Sequence, residues 1–478
     1  MRWLAIHFPD LPLEVYGRAA AESVPLAIFH HPEGQRILLC NARATALGVQ
    51  PGLPVGAARA LARDLHLLPR KPGAERAALE RVAAWCGQFT PLVSLVPPRG
   101  LVLEVGRSLQ LFQGASALLQ RVARGLEGLG YRAGLCLAPT PGGAELLAAQ
   151  GGGPLIGDAP ALRTALGRLP LVALDLEVSR LQALHAMGLR RLSDLLRLPR
   201  AGLAERLGIA WVQRLERMLG EAPDLRVPYR PPPRFSARLE LPAEVEAAQA
   251  LLFAGRRLLL ELGGFLLARE AGVQRLEWRL RHPQRAASRF TLGLARPERD
   301  AERLLELLQE RLEHLVLPAP VREIALVARA IEPLGPIPGE LFVEGGQGPA
   351  EMDVRFLDRL CARLGRSAVR GLGLAADHRP ERAWTYCPPG QGSAGRGRAD
   401  RPLWLSPKPL PLEVRDGRPF REGRLELGAE RERIESGWWD GQEVARDYFV
   451  AITPRGERLW VYRELGVAGR WFLHGWFG

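Results

Sequence analysis

Residues Trp3-Leu-Ala-Ile-His-Phe-Pro9 decide how the rest of the chain is read. Five of the seven are apolar, the run is too short for a helix, and a proline closes it. That is the pattern of a strand buried on both faces of a small mixed sheet. Its tip, where a functional group could project, carries His7 and Pro9. Gly100-Leu-Val-Leu-Glu-Val105, entered through Pro97-Pro98-Arg99, is the expected sheet neighbour. What these two strand ends hold, and what they lack, governs the functional reading.

Working outward, residues 1–165 are expected as mixed α/β. Pro25–His30 and Arg36–Cys40 read as a hairpin around His31-Pro-Glu-Gly34, and Asn41 is placed to cap a helix that ends at Gly48. Helical apolar spacing runs over Ala57–Leu67 and Glu75–Phe89, with a helix over Ala115–Gly128, a strand over Tyr131–Ala138 and a further helix near Ala144. Leu171 to Leu225 is helical with short loops. Within it, Leu184-His-Ala-Met-Gly-Leu189 followed by Leu192-x-x-Leu195 reads as a helix-hairpin-helix. Gly188 would let the amides ahead of the next helix approach a phosphate, although a plain helical turn fits the same letters. Pro231-Pro-Pro233 makes a stiff linker.

Residues 234–334 spell β-α-β-β-α-β, a split ferredoxin-like unit: strand Phe235–Leu241, helix Ala243–Gly263, strands Gln274–Arg281 and Ser288–Ala295, helix Glu298–Leu315, strand Arg322–Ile331. Leu276, Trp278 and Leu280 alternate with Arg275, Glu277, Arg279 and Arg281, so one face is apolar and the other basic. Arg238, Arg289 and Arg329 extend that stripe, which suits a nucleic-acid backbone; an idle solvated face is the alternative. A Gly/Pro connector follows, then a helix at Met352–Leu364 and the stretch Gly390–Arg398. The β-rich tail, 401–478, holds six of the eleven Trp. Trp-rich strands are commonly core, yet a terminal cluster of Trp, Phe and Leu is hard to bury whole and offers a partner surface at Trp438, Trp439, Trp471 and Trp476.

Composition narrows the partners. The chain has 478 residues, long enough for three or four domains, and a net charge of +13 built from 63 Arg and two Lys, Lys71 and Lys408. That balance favours phosphate-rich or otherwise acidic partners. Five Cys without C-x-x-C spacing argue against structural zinc and against a disulfide framework. No apolar run reaches ~18 residues, and Asp10 arrives too early for a signal-peptide core. The expectation is a soluble cytoplasmic, nucleoid-associated protein with no membrane contact and no cofactor.

Together these pieces resemble a Y-family translesion DNA polymerase over residues 1–334: palm and fingers at 1–165, a helical thumb at 166–230, a little finger at 234–334, a connector at 335–350 and a C-terminal partner region at 351–478. Cys40–Pro54 is similar to the fingers signature A-N-Y-E-A-R-x-x-G-V-x-x-G-M-P. Gly100–Val105 stands where that family has S-I-D-E-A-x-L-D-V, and Gly134-Leu135 with Thr140–Ala144 stands at G-I-x-x-N-K-x-x-A-K. Catalysis in the family needs three carboxylates on adjacent strand ends to hold two Mg²⁺ ions ~3.5–4 Å apart. Here the matching positions are His7, Pro9, Arg99 and Gly100. The Tyr and Arg that grip the incoming triphosphate correspond to Ala42 and Thr45, and the two palm Lys to Pro141 and Glu145. A dead polymerase is implied.

The tail is similar to ImuB-type proteins, bacterial Y-family homologues without the catalytic acids: I-E-S-G-W-W-D, R-D-Y-F-V-A, W-V-Y-R-E, W-F-L-H-G-W-F and, at Asp377–Trp384, D-H-R-P-E-R-A-W. That resemblance implies a mutasome adaptor in the SOS response. It would bridge DNA, the sliding clamp, an ImuA-type RecA-like protein and an error-prone C-family DNA polymerase. The clamp peptide would be Pro338-Gly-Glu-Leu341-Phe342, with Pro338 where Gln is usual. Two alternatives stand beside it. One is an active nucleotidyltransferase that uses Asp10 and Glu104. The other is a DNA-binding repair protein without clamp or polymerase.

Overall fold

In the computed structural model the first strand, β1 (Trp3–His7), lies between two antiparallel partners, β6 (Gly100–Glu104) and β7 (Gly134–Ala138), with β5 (Val93–Val96) outside β6. The register sets His7 opposite Gly100 on one side and Gly134 on the other, and Trp3 opposite Glu104 and Ala138. Leu4, Ile6 and Phe8 pack against α4 (Pro72–Cys86) and α5 (Ala115–Gly128). Ala5, with Val102, Cys136 and Ala138, faces the other way onto α6 (Pro141–Ala149). Helices cover both faces, so the strand is apolar throughout rather than alternating. The structure describes residues 1–16, 24–30, 35–151, 155–334, 349–365, 367–389, 401–466 and 469–477. They fall into two units, 1–348 and 349–478.

Beyond α1 (Leu11–Glu14), strands β2 (Leu26–Phe29) and β3 (Ile37–Cys40) pair antiparallel as expected; the turn at His31–Gly34 lies outside the described residues. The Asn41 carboxamide oxygen accepts from the Ala44 N–H at 2.9 Å and so starts α2 (Ala42–Ala46). The helix read over Ala57–Leu67 is shorter: α3 spans Val55–Leu61, and His66–Pro69 forms β4, parallel to β2. Sheet pairing overrides helical spacing there, because joining β2 gives that backbone a hydrogen-bonding partner strand.

Five helices continue from the palm: α7 (Ala159–Gly167), α8 (Val178–Ala186), α9 (Leu192–Leu196), α10 (Arg200–Leu207) and α11 (Ile209–Leu219). They share one core with α6 through Leu162, Leu184, Leu203 and Leu215. Thr140 Oγ1 links the ends of that core. It accepts from the Gly143 N–H at 3.2 Å, capping α6, and donates to the Met218 carbonyl at 2.6 Å on α11.

The β-α-β-β-α-β unit forms in the expected order: β8 (Phe235–Val245), α12 (Leu252–Leu267), β9 (Ala271–Arg281), β10 (Ser288–Glu298), α13 (Ala301–Glu313) and β11 (Val321–Ala328). The sheet runs β10-β9-β11-β8, antiparallel throughout, with β12 (Ile331–Pro333) added to β9. Each β-α-β half is therefore split by a strand of the other. The first helix begins nine residues later than its apolar pattern suggested, at Leu252, because β8 runs on to pair Val245 with Val321. This unit is also docked onto the palm. Trp85 of α4 fits between Gly125 of α5 and Gly264 of α12, where an added Cβ would lie 2.4 and 2.2 Å from its indole. Beside it, Arg81 Nε meets Glu261 Oε2 at 3.2 Å, with the Glu261 side chain 1% exposed.

In the second unit, α14 (Pro349–Leu364) precedes a two-stranded pair, β13 (Gly371–Leu374) and β14 (Trp384–Cys387). A six-stranded antiparallel sheet follows, built from β15 (Trp404–Arg415), β16 (Arg418–Phe420), β17 (Glu426–Ser436), β18 (Val444–Ile452), β19 (Arg458–Glu464) and β20 (Trp471–Trp476). Its order is β16-β15-β20-β19-β18-β17. Tyr448 stacks on Trp460 at a centroid distance of 4.0 Å, and its hydroxyl lies 2.8 Å from His474 Nδ1. Among the described residues no helix is long and apolar enough to cross a membrane.

Candidate functional site

Strands β6, β1 and β7 end at one level of the palm sheet, beside the turn between β5 and β6. His7, Pro9, Arg99 and Gly100 meet there. His7 pairs with Gly100, the Phe8 N–H donates to the Arg99 carbonyl at 2.8 Å, and Arg99 Nη1 donates to the Pro9 carbonyl at 3.2 Å. Burial, and then the charge of Arg99, hold His7 below the usual imidazole range. Burial, and then Arg70, likewise lower Arg99. Glu75 and Asp10 act on Arg99 in the opposite direction.

This side-chain set does not fit the paired magnesium ions of a polymerase palm, which need hard oxygen ligands. It offers an imidazole, a guanidinium, a proline and a glycine. Nor can the two acids weighed from the sequence, Asp10 and Glu104, stand in together. Glu104 sits opposite Trp3, at the far end of β1 from His7. Four residue steps of strand separate those two ends, about 13 Å. Its carboxylate is already used, accepting from the N–H groups of Arg2 at 3.3 Å and Gly106 at 3.2 Å. Asp10 is engaged too, with Arg132 Nη1 at 3.3 Å. The Asp10–Glu104 pairing entertained from the sequence is thus corrected by register: the two acids belong to opposite ends of the sheet.

The four positions matched to a triphosphate grip are likewise dispersed. Ala42 lines a cavity with Asp10 and Asn41, whereas Glu145 lines a different one with His7 and Arg99. Thr45 Oγ1 donates to the Asn41 carbonyl at 3.0 Å, and Pro141 opens α6. Glu145 Oε2 accepts from Arg226 Nη1 at 3.3 Å.

The basic stripe is assembled by sheet register. Arg289 lies opposite Arg279, Arg279 opposite Ala325, and Ala325 opposite Arg238. These four positions make one row across β10, β9, β11 and β8, on the face away from Leu276, Trp278 and Leu280, which are at most 1% exposed. Arg275 and Arg281 lie on the same face by alternation. Acids are interspersed: Glu277 lies 4.0 Å from Arg275 and 3.7 Å from Arg329, and Glu323 is opposite Arg281. Arg238 and Arg281 also line a cleft of about 490 Å³ with Lys71 and Arg81 of the palm.

Gly188 adopts φ +81° in the turn between α8 and α9, a conformation that glycine takes readily. The amides ahead of α9 are not free for a phosphate, however: those of Arg190 and Arg191 donate to Asp194 Oδ2 at 3.0 and 2.9 Å. Those two bonds hold the Asp194 carboxyl below the usual carboxylate range. Leu341 and Phe342 lie outside the described residues. Of the four Trp placed on a partner surface, Trp438 and Trp439 are 75% and 55% exposed. Trp471 is core, at 6%, and Trp476 packs against the same cluster. The correction has a simple cause: both belong to β20, an interior strand of the sheet, whereas Trp438 and Trp439 occupy the turn after β17.

Sequence reasoning missed the wall that closes over the strand tips. A cavity of about 760 Å³ there is lined by His7, Arg99 and Gly100 and also by Arg70, Arg214, Arg217 and Arg226. The signal was present in α11. Arg214 and Arg217 share one helix face, opposite Val212, Leu215 and Leu219, which are buried.

Residues 15–149 match the impB/mucB/samB family. The chain is 30% identical over 459 residues to Protein ImuB of Caulobacter vibrioides, covering 90% of this chain and 100% of that protein, with the same figures for two strains. Among solved structures, DinB from Sulfolobus solfataricus gives a TM-score of 0.40 at 15% identity, covering 70% of this chain and 100% of that one. The insertion ternary complex of Dbh DNA polymerase gives 0.41 at 15%, with the same coverage.

Proposed function

Because the chain belongs to the ImuB family of Y-family polymerase-like proteins, we propose that it is a noncatalytic, DNA-binding adaptor for error-prone translesion synthesis. The observation that carries the proposal is the strand-end set of His7, Pro9, Arg99 and Gly100 on a palm sheet otherwise intact. A hand that keeps its palm, its helical thumb and an arginine-striped little finger, with His7, Pro9, Arg99 and Gly100 where oxygen ligands would stand, is suited to holding DNA and not to transferring nucleotides. The divisions read from the sequence carry over to this reading: palm and fingers, thumb, little finger, connector and partner region. DNA is the ligand of the stripe, and a cytoplasmic, nucleoid-associated location goes with it.

By family, the partners are the sliding clamp, an ImuA-type RecA-like protein and an error-prone C-family polymerase that supplies the chemistry. Leu341 and Phe342 are assigned to the clamp, and the exposed Trp438–Trp439 pair to a protein partner.

Primer extension tests the catalytic half of the proposal. The purified chain alone should extend no primer with Mg²⁺ or Mn²⁺, and extension abolished by Asp10→Ala would overturn the reading. Pull-downs test the adaptor half. Clamp capture should fall with Leu341→Ala/Phe342→Ala, and polymerase capture with removal of residues 401–478. Recovery of neither partner by the intact chain would leave a DNA-binding repair protein instead.

A further inference from the structure

The cavity over the strand tips joins the palm strand ends to α11. Its lining comes from the β5–β6 turn with Arg99 and from α11, which contributes Arg214 and Arg217. Two of the five lining arginines are already held. Arg70 is bound by Glu75 through a pair of hydrogen bonds at 2.9 and 2.8 Å, and Arg226 by Asp224 at 2.8 Å and Glu145 at 3.3 Å. Those pairings consume two of the three lining acids and leave Asp175. Arg99, Arg214 and Arg217 form no ion pair among the described residues. Arg99 donates to the Pro9 carbonyl, Arg217 Nε to the Gln213 carbonyl at 3.2 Å, and Arg214 lies over the Trp211 ring at 4.7 Å.

We propose that this cavity is a phosphate site, in which Arg99, Arg214 and Arg217 take a nucleotide phosphate directly at the strand ends where a polymerase palm would use metal-bridged contacts.

Three arguments converge on it. The residues at the strand tips are unfit for a divalent cation, but a guanidinium there supplies both the positive charge and the forked donors that phosphate oxygens accept. Arg99, Arg214 and Arg217 line one cavity without an ion pair among the described residues, so an anion there meets guanidinium donors that no acid holds. The remaining wall is apolar, from Val96, Pro97, Leu146 and Met218, which suits the sugar or base attached to the phosphate. Two sources share this chemistry: a phosphate at the end of a DNA strand, and a free nucleoside triphosphate. The cavity is also distinct in place from the basic stripe, since none of the stripe residues lines it. Only the DNA-end source rests on the DNA-binding reading.

The test uses the full chain in EDTA with two kinds of probe. One is dATP, followed by calorimetry. The other is a DNA duplex with a recessed 3′ end, compared with a dumbbell of the same sequence closed by loops at both ends. The wild-type chain should bind dATP, or prefer the open duplex to the dumbbell, without divalent metal. Arg99→Gln and Arg217→Gln should each weaken that binding about tenfold, the scale of one charge-assisted hydrogen bond, and leave the dumbbell unaffected. Arg217 is exposed on α11, so its variant keeps the fold even if removing the Arg99–Pro9 hydrogen bond loosens the turn.

Binding of neither dATP nor strand ends, binding that appears only with Mg²⁺, or variants that bind as the wild type would each overturn the site. Failure of the DNA-binding reading looks different. The dumbbell would then not bind at all, while arginine-dependent dATP binding in EDTA would still establish the pocket.

Discussion

Consider removing the row of arginines that the little-finger sheet assembles, as Arg238→Gln/Arg279→Gln/Arg289→Gln. The row spans four strands, β10-β9-β11-β8. At ~4.8 Å between strands it is about 14 Å long, matching roughly four steps of 3.4 Å along one DNA strand. Each phosphate left unneutralised should lower the slope of log K against log salt by ~0.9, so three give about 2.7. Raising salt fourfold, from about 50 to 200 mM, should therefore cost the variant ~40-fold less affinity than it costs the wild type. Glutamine keeps the polar stem and avoids adding repulsion, so the change reports the missing counterion release alone. Fluorescence anisotropy on a 20-base-pair duplex across that salt range measures it. The control removes equal charge elsewhere, at Arg415, Arg418 and Arg455, which are exposed on the second unit. An unchanged slope in the row variant, or an equal fall in the control, would refute the assignment of this face to DNA.

Further outcomes are expected elsewhere in the chain. His474 is buried in the second unit, and burial drives its imidazole down to about 4. Its folded value lies below the unfolded ~6.5, so its contribution is complete above pH 6.5 and is lost as pH falls from there toward 4, at up to ~1.4 kcal/mol per unit. Thermal melts at pH 7 and pH 4.5 should show that loss, and His474→Phe should shrink it; a melt independent of pH would refute the buried neutral ring. Gly264→Ala should destabilise by about 1–3 kcal/mol in urea unfolding, since overpacking against Trp85 outweighs alanine's helical advantage. A stabilised variant would mean that the little finger is not seated on the palm. Thr140→Val should cost about 1–3 kcal/mol by the same measurement, because the α6 cap and the partner of the Met218 carbonyl go together.

Local chemistry made much of this legible. The apolar run at Trp3–Pro9 requires a sheet covered on both sides, and β1 is such a strand. Alternation of Leu276, Trp278 and Leu280 with arginines puts charge on one face, and period-two geometry leaves no other arrangement once β9 forms. Asn41 and Gly188 announced a helix start and a turn, and both are there. Where sequence reading failed, long-range pairing had the deciding energy. His66–Pro69 followed helical spacing until β2 offered it a parallel partner. Trp471 looked like surface because it lies near the chain's end, but its strand runs inside the sheet.

The sequence by itself determined which side chains arrive at the strand tips, and hence that no set of oxygen ligands could form from His7, Pro9, Arg99 and Gly100. It could not say where the remaining acids go, because a carboxylate's position depends on register, and register is a property of two strands at once. Only the tertiary structure sent Glu104 to the far end of β1, tied Asp194 to the amides ahead of α9, and placed α11 so that Arg214 and Arg217 line one cavity with Arg99. Residues more than a hundred positions apart share that space because α11 and α6 share one core with the palm sheet, an arrangement no local pattern encodes.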